Sequence, residues 1–187
     1  MNVILKRSIL GLAAVPLAAK DYLHIPGPVK FDRSEYDLVW STHPSSLYFK
    51  QEYLPAGEIT EHFSKMILIE VLQSNMPLQN AVSGKVQEIT DRRKDDPVAV
   101  YHVSANADKS EYILDFLMSS GGVLEFNAYR YKEVMLNGQP TIVLFANSRR
   151  AYGDDRQGFL SALPAMRSRV IRELAGYALP AISINLR

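Results

Sequence analysis

The feature that most constrains the fold is a series of strand-like segments in the second half of the chain, joined by strong turn signals. Four runs of alternating or β-branched character follow Pro97, at residues 98–104, 111–118, 123–134 and 141–148. Ser120-Gly121-Gly122 predicts one hairpin turn. Asn137-Gly138 predicts a two-residue turn, because both residues tolerate positive φ. Successive hairpins of this kind predict an antiparallel sheet.

An earlier pair of strands surrounds the turn-forming residues 43–46. Apolar and aromatic residues alternate on both sides of them, which is typical of half-buried strands. Folding the chain about this turn places Trp40 opposite Phe49 and Tyr36 opposite Tyr53, so we expect aromatic pairs to stabilise a hairpin.

One more strand and two helices complete the predicted elements. Residues 66–72, MILIEVL, predict a buried strand because β-branched residues are frequent there. Pro77 suits the first turn of a helix that runs to about Ile89. Apolar residues recur at steps of three and four from Phe159 to Tyr177, which predicts a long amphipathic helix. Pro164 inside that segment predicts either a kink or a later start.

These elements predict an α+β fold with an antiparallel sheet of about six or seven strands and two main helices packed on it, both covering the same face. We expect a single domain over residues 33–187. Residues 20–32 contain Pro26-Gly27-Pro28 and predict an extended arm that leads into the domain.

Residues 1–19 have the pattern of an export signal. Lys6 and Arg7 provide a positive start, residues 8–17 an apolar stretch, and Ala18-Ala19 the small residues that precede cleavage. The pattern predicts cleavage after Ala19 and a periplasmic or secreted protein. We expect association with a membrane only if this segment is retained.

Composition excludes several classes of function. The sequence has no cysteine, which rules out disulfides, thiol catalysis and thiolate metal sites. Removing the signal takes two basic residues from 21 and none of the 20 acidic ones, so the remaining chain is nearly neutral and we do not expect it to bind nucleic acid. The four histidines lack metal-ligand spacing, and Gly121-Gly122 lacks a phosphate-loop continuation, so we predict no metal and no cofactor.

The most suggestive group of side chains combines tyrosine with basic residues near the middle and the end of the sheet. Tyrosine and arginine are enriched at protein interfaces. The group comprises Tyr129, Arg130, Tyr131, Lys132, Arg149, Arg150 and Tyr152. The group predicts a surface that contacts another protein. The alternative is a structural role, because the margins of sheets also use amphipathic side chains of these types. A small-ligand pocket between the sheet and the terminal helix is a competing use of this region.

Single acids inside apolar strands are costly to bury without a partner. We therefore expect Glu70 and Asp115 to face water, and the alternative is that an arginine pairs with them. Folding about Asn137-Gly138 also places Glu125 opposite Arg150, which predicts a cross-strand ion pair.

Three segments carry a resemblance to known proteins. They are WSTHPSSLYFKQEYLPAGE at residues 40–58, FNAYRYKE at residues 126–133 and FANSRRAYGDD at residues 145–155. The chain resembles small exported bacterial proteins that are uncharacterised, and this resemblance implies no catalytic residue. The order of elements also resembles the PsbP-like α+β sandwich, which would imply an antiparallel sheet flanked by helices.

Our functional hypothesis is an exported, non-enzymatic domain that binds another envelope protein. One alternative is a carrier of a small apolar ligand. The other is a hydrolase with a dispersed site using Asp37, Glu52 or His43, because the predicted register places Asp37 opposite Glu52. The sequence assigns no catalytic residue.

Overall fold

A computed structural model of the chain describes residues 19–184, which form three layers: a central antiparallel sheet with one helix on each face. The strands are β1 (Val29–Phe31), β2 (Ser34–Ser45), β3 (Tyr48–Leu54), β4 (Lys65–Gln73), β5 (Val100–Ala105), β6 (Glu111–Ser120), β7 (Val123–Leu136) and β8 (Gln139–Tyr152). The helices are α1 (Leu78–Arg92) and α2 (Asp155–Gly176).

The sheet has eight strands in the order β1-β2-β3-β4-β8-β7-β6-β5, and every neighbouring pair is antiparallel. The predicted α+β class, antiparallel sheet and two helices are confirmed. The predicted number of six or seven strands is wrong, because the short β1 lies within the segment assigned to the arm. The last strand, β8, lies between β4 and β7 in the middle of the sheet.

Both faces of the central strands are buried, and each face packs against its own helix. In β4, Ile67 and Ile69 pack in the core on the α2 side, whereas Leu68 packs in the core on the α1 side. In β8, Phe145 packs in the core on the α2 side and Leu144 in the core on the α1 side. The expectation that both helices cover one face is therefore wrong. Strands that are apolar on both sides need cover on both sides.

Residues 20–32, assigned from the sequence to an extended arm, contribute buried side chains to the core on the α2 side, among them Leu23 and Ile25. The backbone N–H of Leu23 donates to Oε1 of Gln51 at 2.9 Å, and its carbonyl accepts from Ser183 N–H at 2.9 Å. The two ends of the described chain thus meet on this face. The predicted signal segment, apart from Ala19, lies outside the described residues.

The β7–β8 hairpin has the predicted register. Glu125 pairs with Arg150, and the turn residues Asn137 and Gly138 both have positive φ, at 50° and 75°. The β2–β3 hairpin does not, because irregularities between residues 38 and 40 and between 42 and 45 shift the strands. The turn moves to residues 46–47, so Trp40 pairs with Glu52 instead of Phe49.

Both predicted helices are present. Helix α1 follows Pro77 and buries Leu78, Val82 and Ile89 against the sheet. Helix α2 begins at Asp155 and continues through Pro164. The alternative that the helix starts only at Pro164 is therefore wrong. No helix among residues 19–184 is both long enough and apolar enough to cross a bilayer.

Candidate functional site

The structure divides the predicted contact residues between the two faces of the sheet, because side chains alternate along a strand. Arg130, Lys132 and Arg149 lie on the α2 side, where Arg130 contacts the end of α2 and Arg149 contacts Asp32. Tyr129 and Tyr131 lie on the α1 side, in the core that α1 covers. The seven residues therefore do not form one continuous surface.

Arg130 holds the end of helix α2. Its Nη1 donates to the carbonyl oxygens of Leu174 at 3.0 Å and Tyr177 at 2.6 Å, and its Nε donates to Oε2 of Glu111 at 2.8 Å. Lys132 reaches the same Glu111 carboxylate at 2.7 Å. The last carbonyls of a helix lack intrahelical partners, so a buried guanidinium there stabilises the helix end.

Arg149 contributes to a second buried charge cluster. Its Nη2 donates to Asp32 at 2.5 Å, and Arg169 of α2 donates to both oxygens of the same carboxylate at 2.8 and 3.1 Å. Burial alone would raise the pKa of Asp32, but the hydrogen bonds of Arg169 and the charge of Arg149 outweigh it and lower this pKa. Arg149 is thus engaged inside the fold.

Arg150 and Tyr152 fasten the loop between β3 and β4. The guanidinium of Arg150 pairs with Glu125 and lies 4.0 Å from the ring centroid of Phe63. The Tyr152 hydroxyl accepts from the N–H of Phe63 at 3.1 Å and donates to its carbonyl at 2.9 Å, while its ring stacks on His62. The predicted Glu125–Arg150 pair is confirmed.

Tyr129 and Tyr131 line a groove between α1 and the uncovered part of the sheet, with a volume of about 490 Å³. We call it the α1 groove. Its walls combine apolar, aromatic and charged side chains from four strands and one helix. They are Tyr48, Lys50, Leu68, Glu70, Leu72, Met76, Asn80, Ala81, Gly84, Lys85, Glu88, Tyr129, Tyr131, Ile142 and Leu144.

Strand register brings the floor of the α1 groove together. Lys50 of β3 pairs with Glu70 of β4, Glu70 with Leu144 of β8, and Leu144 with Tyr131 of β7. These four residues form one row across the sheet, on the face where side chains at every second position point toward α1. Sequence reasoning named Tyr131 but missed Lys50 and Glu70 as its neighbours, because the row depends on pairings between distant strands.

The charged residues of the α1 groove form ion pairs with one another and with Glu52. Nζ of Lys50 lies 3.5 Å from Glu52 and 3.7 Å from Glu70. Nζ of Lys85, on α1, lies 2.9 Å from Glu88. These pairs are partly exposed, and such pairs contribute little to stability.

Tyr131 is the most unusual group in the α1 groove. Only 6% of the residue is exposed, and its hydroxyl, which is open to the groove, has no hydrogen-bond partner among residues 19–184. Burial raises the pKa of Tyr131, and the carboxylates of Glu70 and Glu88 raise it further. The same causes, burial first and then Glu70, raise the pKa of Tyr129 and Tyr48. All three hydroxyls therefore keep their protons at neutral pH.

Among residues 19–184, the α1 groove does not contain the serine–histidine pair of a hydrolase triad. Its walls contain no serine and no histidine in the described part of the chain. The pairing of Asp37 with Glu52 is wrong, because Asp37 lies opposite Leu54. His43 packs between Tyr22 and Phe49, which belong to the core on the α2 side.

Asp115 was expected to face water, and this is wrong: its side chain is 6% exposed. Arg167 of α2 donates two hydrogen bonds to it, at 2.5 and 2.8 Å, which compensates the charge. Within residues 19–184 no three acidic or histidine side chains are grouped as they would be around a metal ion.

A second, more open depression of about 630 Å³ lies at the start of α2, where the sequence predicted a pocket between the sheet and the terminal helix. Its polar side chains already have partners in the protein. Glu58 accepts from Ser64, Arg150 pairs with Glu125, and Tyr152 bonds to Phe63. The α1 groove, by contrast, presents the Tyr131 hydroxyl, which has no protein partner among residues 19–184, and this makes it the better candidate.

The chain belongs to an uncharacterised protein family, whose model matches residues 23–179. No curated protein shows significant sequence similarity to it. Among solved structures, LpqN, described as involved in cell envelope biogenesis of Mycobacterium tuberculosis, is similar with a TM-score of 0.36 and 11% identity, over 89% of this chain and 82% of LpqN. The likeness to PsbP-like domains stays a prediction.

Proposed function

We propose that the protein binds a small amphipathic molecule in the α1 groove and performs no chemistry on it. The observation that carries the proposal is the Tyr131 hydroxyl, which opens into the groove from a largely buried side chain and has no hydrogen-bond partner among residues 19–184. A hydroxyl at the wall of a groove that has no protein partner can hydrogen-bond to a ligand, and a few such polar groups orient a ligand in an otherwise apolar site. Of the three functions considered from the sequence, this one is nearest to the small-ligand carrier.

The shape and composition of the groove support a ligand of modest size. Small-molecule sites are concave, mostly apolar, and contain a few polar groups that orient the ligand. Here Leu68, Ile142 and Leu144 provide the apolar floor, and tyrosine hydroxyls provide the polar groups. Four members of the predicted protein-contact set, Arg130, Arg149, Arg150 and Tyr152, are instead occupied by contacts within the fold, as described above.

We also propose that the protein acts outside the cytoplasm, in the periplasm or after secretion. The pattern of residues 1–19 supports this location, and the absence of cysteine in all 187 residues is compatible with an oxidising compartment. N-terminal sequencing of protein recovered from the envelope fraction should give Lys20 as the first residue. Recovery of the full-length chain in the cytoplasm alone would contradict the proposal.

The binding proposal is tested by filling the groove. Gly84 lies on α1 at the groove, with no atom within 4 Å of the position its Cβ would occupy, so Gly84→Phe can project a ring into it. Native mass spectrometry of freshly purified wild-type protein should show an added small-molecule mass, and Gly84→Phe should lose it. Ser83→Phe, an exposed neighbour that does not line the groove, is the matched control and should keep the added mass.

A bare mass for wild-type protein calls for a second measurement, because a weak ligand dissociates during purification. A fragment library is then titrated while amide chemical shifts are recorded. Shifts confined to residues of the α1 groove, and abolished in Gly84→Phe, support the proposal. If no fragment shifts these residues, the groove is not a binding site.

A further inference from the structure

We infer that the ligand of the α1 groove is a small organic cation, an ammonium group carried on a short apolar body. This inference rests on the binding function proposed above and adds the charge of the ligand. Three properties of the groove favour such a cation: its balance of charges, its aromatic faces and the state of its hydroxyl groups.

Carboxylates outnumber ammonium groups at the α1 groove. Glu70 and Glu88 line it, and Glu52 lies beside it through its contact with Lys50. Only Lys50 and Lys85 oppose these three acids. Nζ of Lys50 is shared between Glu52 at 3.5 Å and Glu70 at 3.7 Å, and both distances are longer than a hydrogen bond. One negative charge is therefore left without full compensation.

The aromatic faces of the groove already hold a cation of the protein itself. Nζ of Lys85 lies 6.0 Å from the ring centroid of Tyr129, which lines the groove, and 5.6 Å from that of Phe116, which packs against Tyr129. These distances are those of cation–π contacts, in which the negative face of the ring attracts a positive charge. Tyr48 and Tyr131 add two more rings to the same groove, and no cation lies over either ring among residues 19–184.

The hydroxyl groups favour the same ligand. The negative charges of Glu70 and Glu88 add to the effect of burial in raising the pKa of Tyr131, so the groove has a negative potential at this oxygen. That potential opposes a phosphate or carboxylate and attracts an ammonium. A phenol oxygen without a partner can accept a hydrogen bond from an N–H group or contact the polarised methyl groups of a quaternary ammonium.

The experiment compares choline with 3,3-dimethyl-1-butanol, which has the same shape without the charge. Chemical-shift titration of the full mature chain should show choline shifting residues of the α1 groove, with an affinity about tenfold higher than that of the neutral analogue. Glu70→Gln should lower the affinity for choline and leave that for the neutral analogue unchanged. Glu35→Gln, which removes an exposed acid of β2 that does not line the groove, is the control of equal charge and should bind like wild type.

Each result decides between the two proposals. If the neutral analogue binds as tightly as choline, or if Glu70→Gln binds choline as wild type does, the ligand is not selected by its charge, and the inference is overturned while the binding function stands. If neither compound shifts groove residues but other fragments do, the inference again fails alone. If nothing shifts them and the native mass is bare, both proposals fail together.

Discussion

Asp32 joins three separate parts of the chain through one buried carboxylate. Arginines from β8 and α2 bind its two oxygens, and its backbone N–H donates to Oε1 of Glu173 at 2.5 Å. Both Asp32 and Arg33 have positive φ, at 43° and 60°, a backbone conformation that costs energy for residues other than glycine. The contacts at Asp32 therefore fix the turn between β1 and β2.

The lowered pKa of Asp32 predicts a loss of stability in acid. Its carboxylate is ionised more readily in the folded chain than at its ordinary pKa of 3.8, so its contribution is complete above that value and disappears as the pH falls through the lower folded pKa. Asp96 and Glu111, whose pKa values are also lowered, act in the same direction. Urea unfolding between neutral pH and pH about 2 should show the free energy of unfolding falling below pH about 4.

The substitution Asp32→Asn separates the contribution of Asp32 from those of Asp96 and Glu111. It leaves two arginines facing a neutral amide, and we expect it to lower the free energy of unfolding at neutral pH by about 2–4 kcal/mol and to weaken the dependence on acid. Asp37→Asn, at an exposed position of β2, serves as the control for the loss at neutral pH. An Asp32→Asn protein as stable as wild type, with an unchanged acid profile, would show that the cluster does not stabilise the fold.

Only the local residue contacts could be predicted from the sequence. Glu125 and Arg150 were paired correctly because they lie on one hairpin with an unambiguous turn. Asp32 was missed, since its arginine partners lie 117 and 137 residues further along the chain and no local pattern connects them. For the same reason, Tyr129 and Tyr131 were named as binding residues without the acids that surround them.

At the scale of elements, turn chemistry and periodicity predicted most strands and both helices. The hairpin at Asn137-Gly138 has its predicted register because the turn type leaves one solution. The β2–β3 register was wrong because a bulge inserts residues into one strand and shifts every later pair. A bulge has no signature comparable with Asn-Gly, so alternation of side chains alone cannot locate it.

Helix α2 contains an exposed proline, Pro164, which should lower the stability of the fold by a measurable amount. Pro164 cannot donate a backbone hydrogen bond within the 22-residue helix. Pro164→Ala should raise the free energy of unfolding by about 1–2 kcal/mol, the helix gain being reduced by the greater freedom of the unfolded chain. Thermal or urea unfolding measures the difference.

The matched control is Pro77→Ala, at the exposed N-cap position of α1, where proline has a compatible φ of −55° and an N–H is not needed. This change should leave stability unchanged or lower it slightly. If Pro164→Ala destabilises the protein as much as Pro77→Ala does, the backbone around Pro164 is adapted to the proline and no penalty exists there.

For the whole molecule, the sequence predicted the class of fold but not its layers. Seven of the eight strands could be recognised, whereas the assignment of the helices to faces could not. The run MILIEVL in β4 is apolar at consecutive positions, and such a strand is buried on both sides, which requires a helix on each. The α1 groove follows from this arrangement, because α1 covers only part of its face and leaves the floor near β3 and β4 open.

The N-terminal segment is predicted to belong to the same cooperative unit as the sheet. Leu23 is fully buried, so Leu23→Ala should lower the free energy of unfolding by about 2–5 kcal/mol in a single transition. Leu160→Ala, at a position of α2 that is 42% exposed, makes the same chemical change and should cost less than about 1 kcal/mol. Equal stability of the two variants would mean that residues 20–32 are an accessory arm outside the domain.

The central position of β8 has a consequence for the order in which the chain can fold during its synthesis. Lys65 pairs with Arg149, so β4 has no partner on that side until residues Gln139–Tyr152 have been made. Strands β5, β6 and β7 can form a meander earlier, but it cannot join the first four strands without β8. A ribosome that has not yet released β8 therefore holds a chain whose sheet is in two unjoined parts, β1 to β4 and β5 to β7.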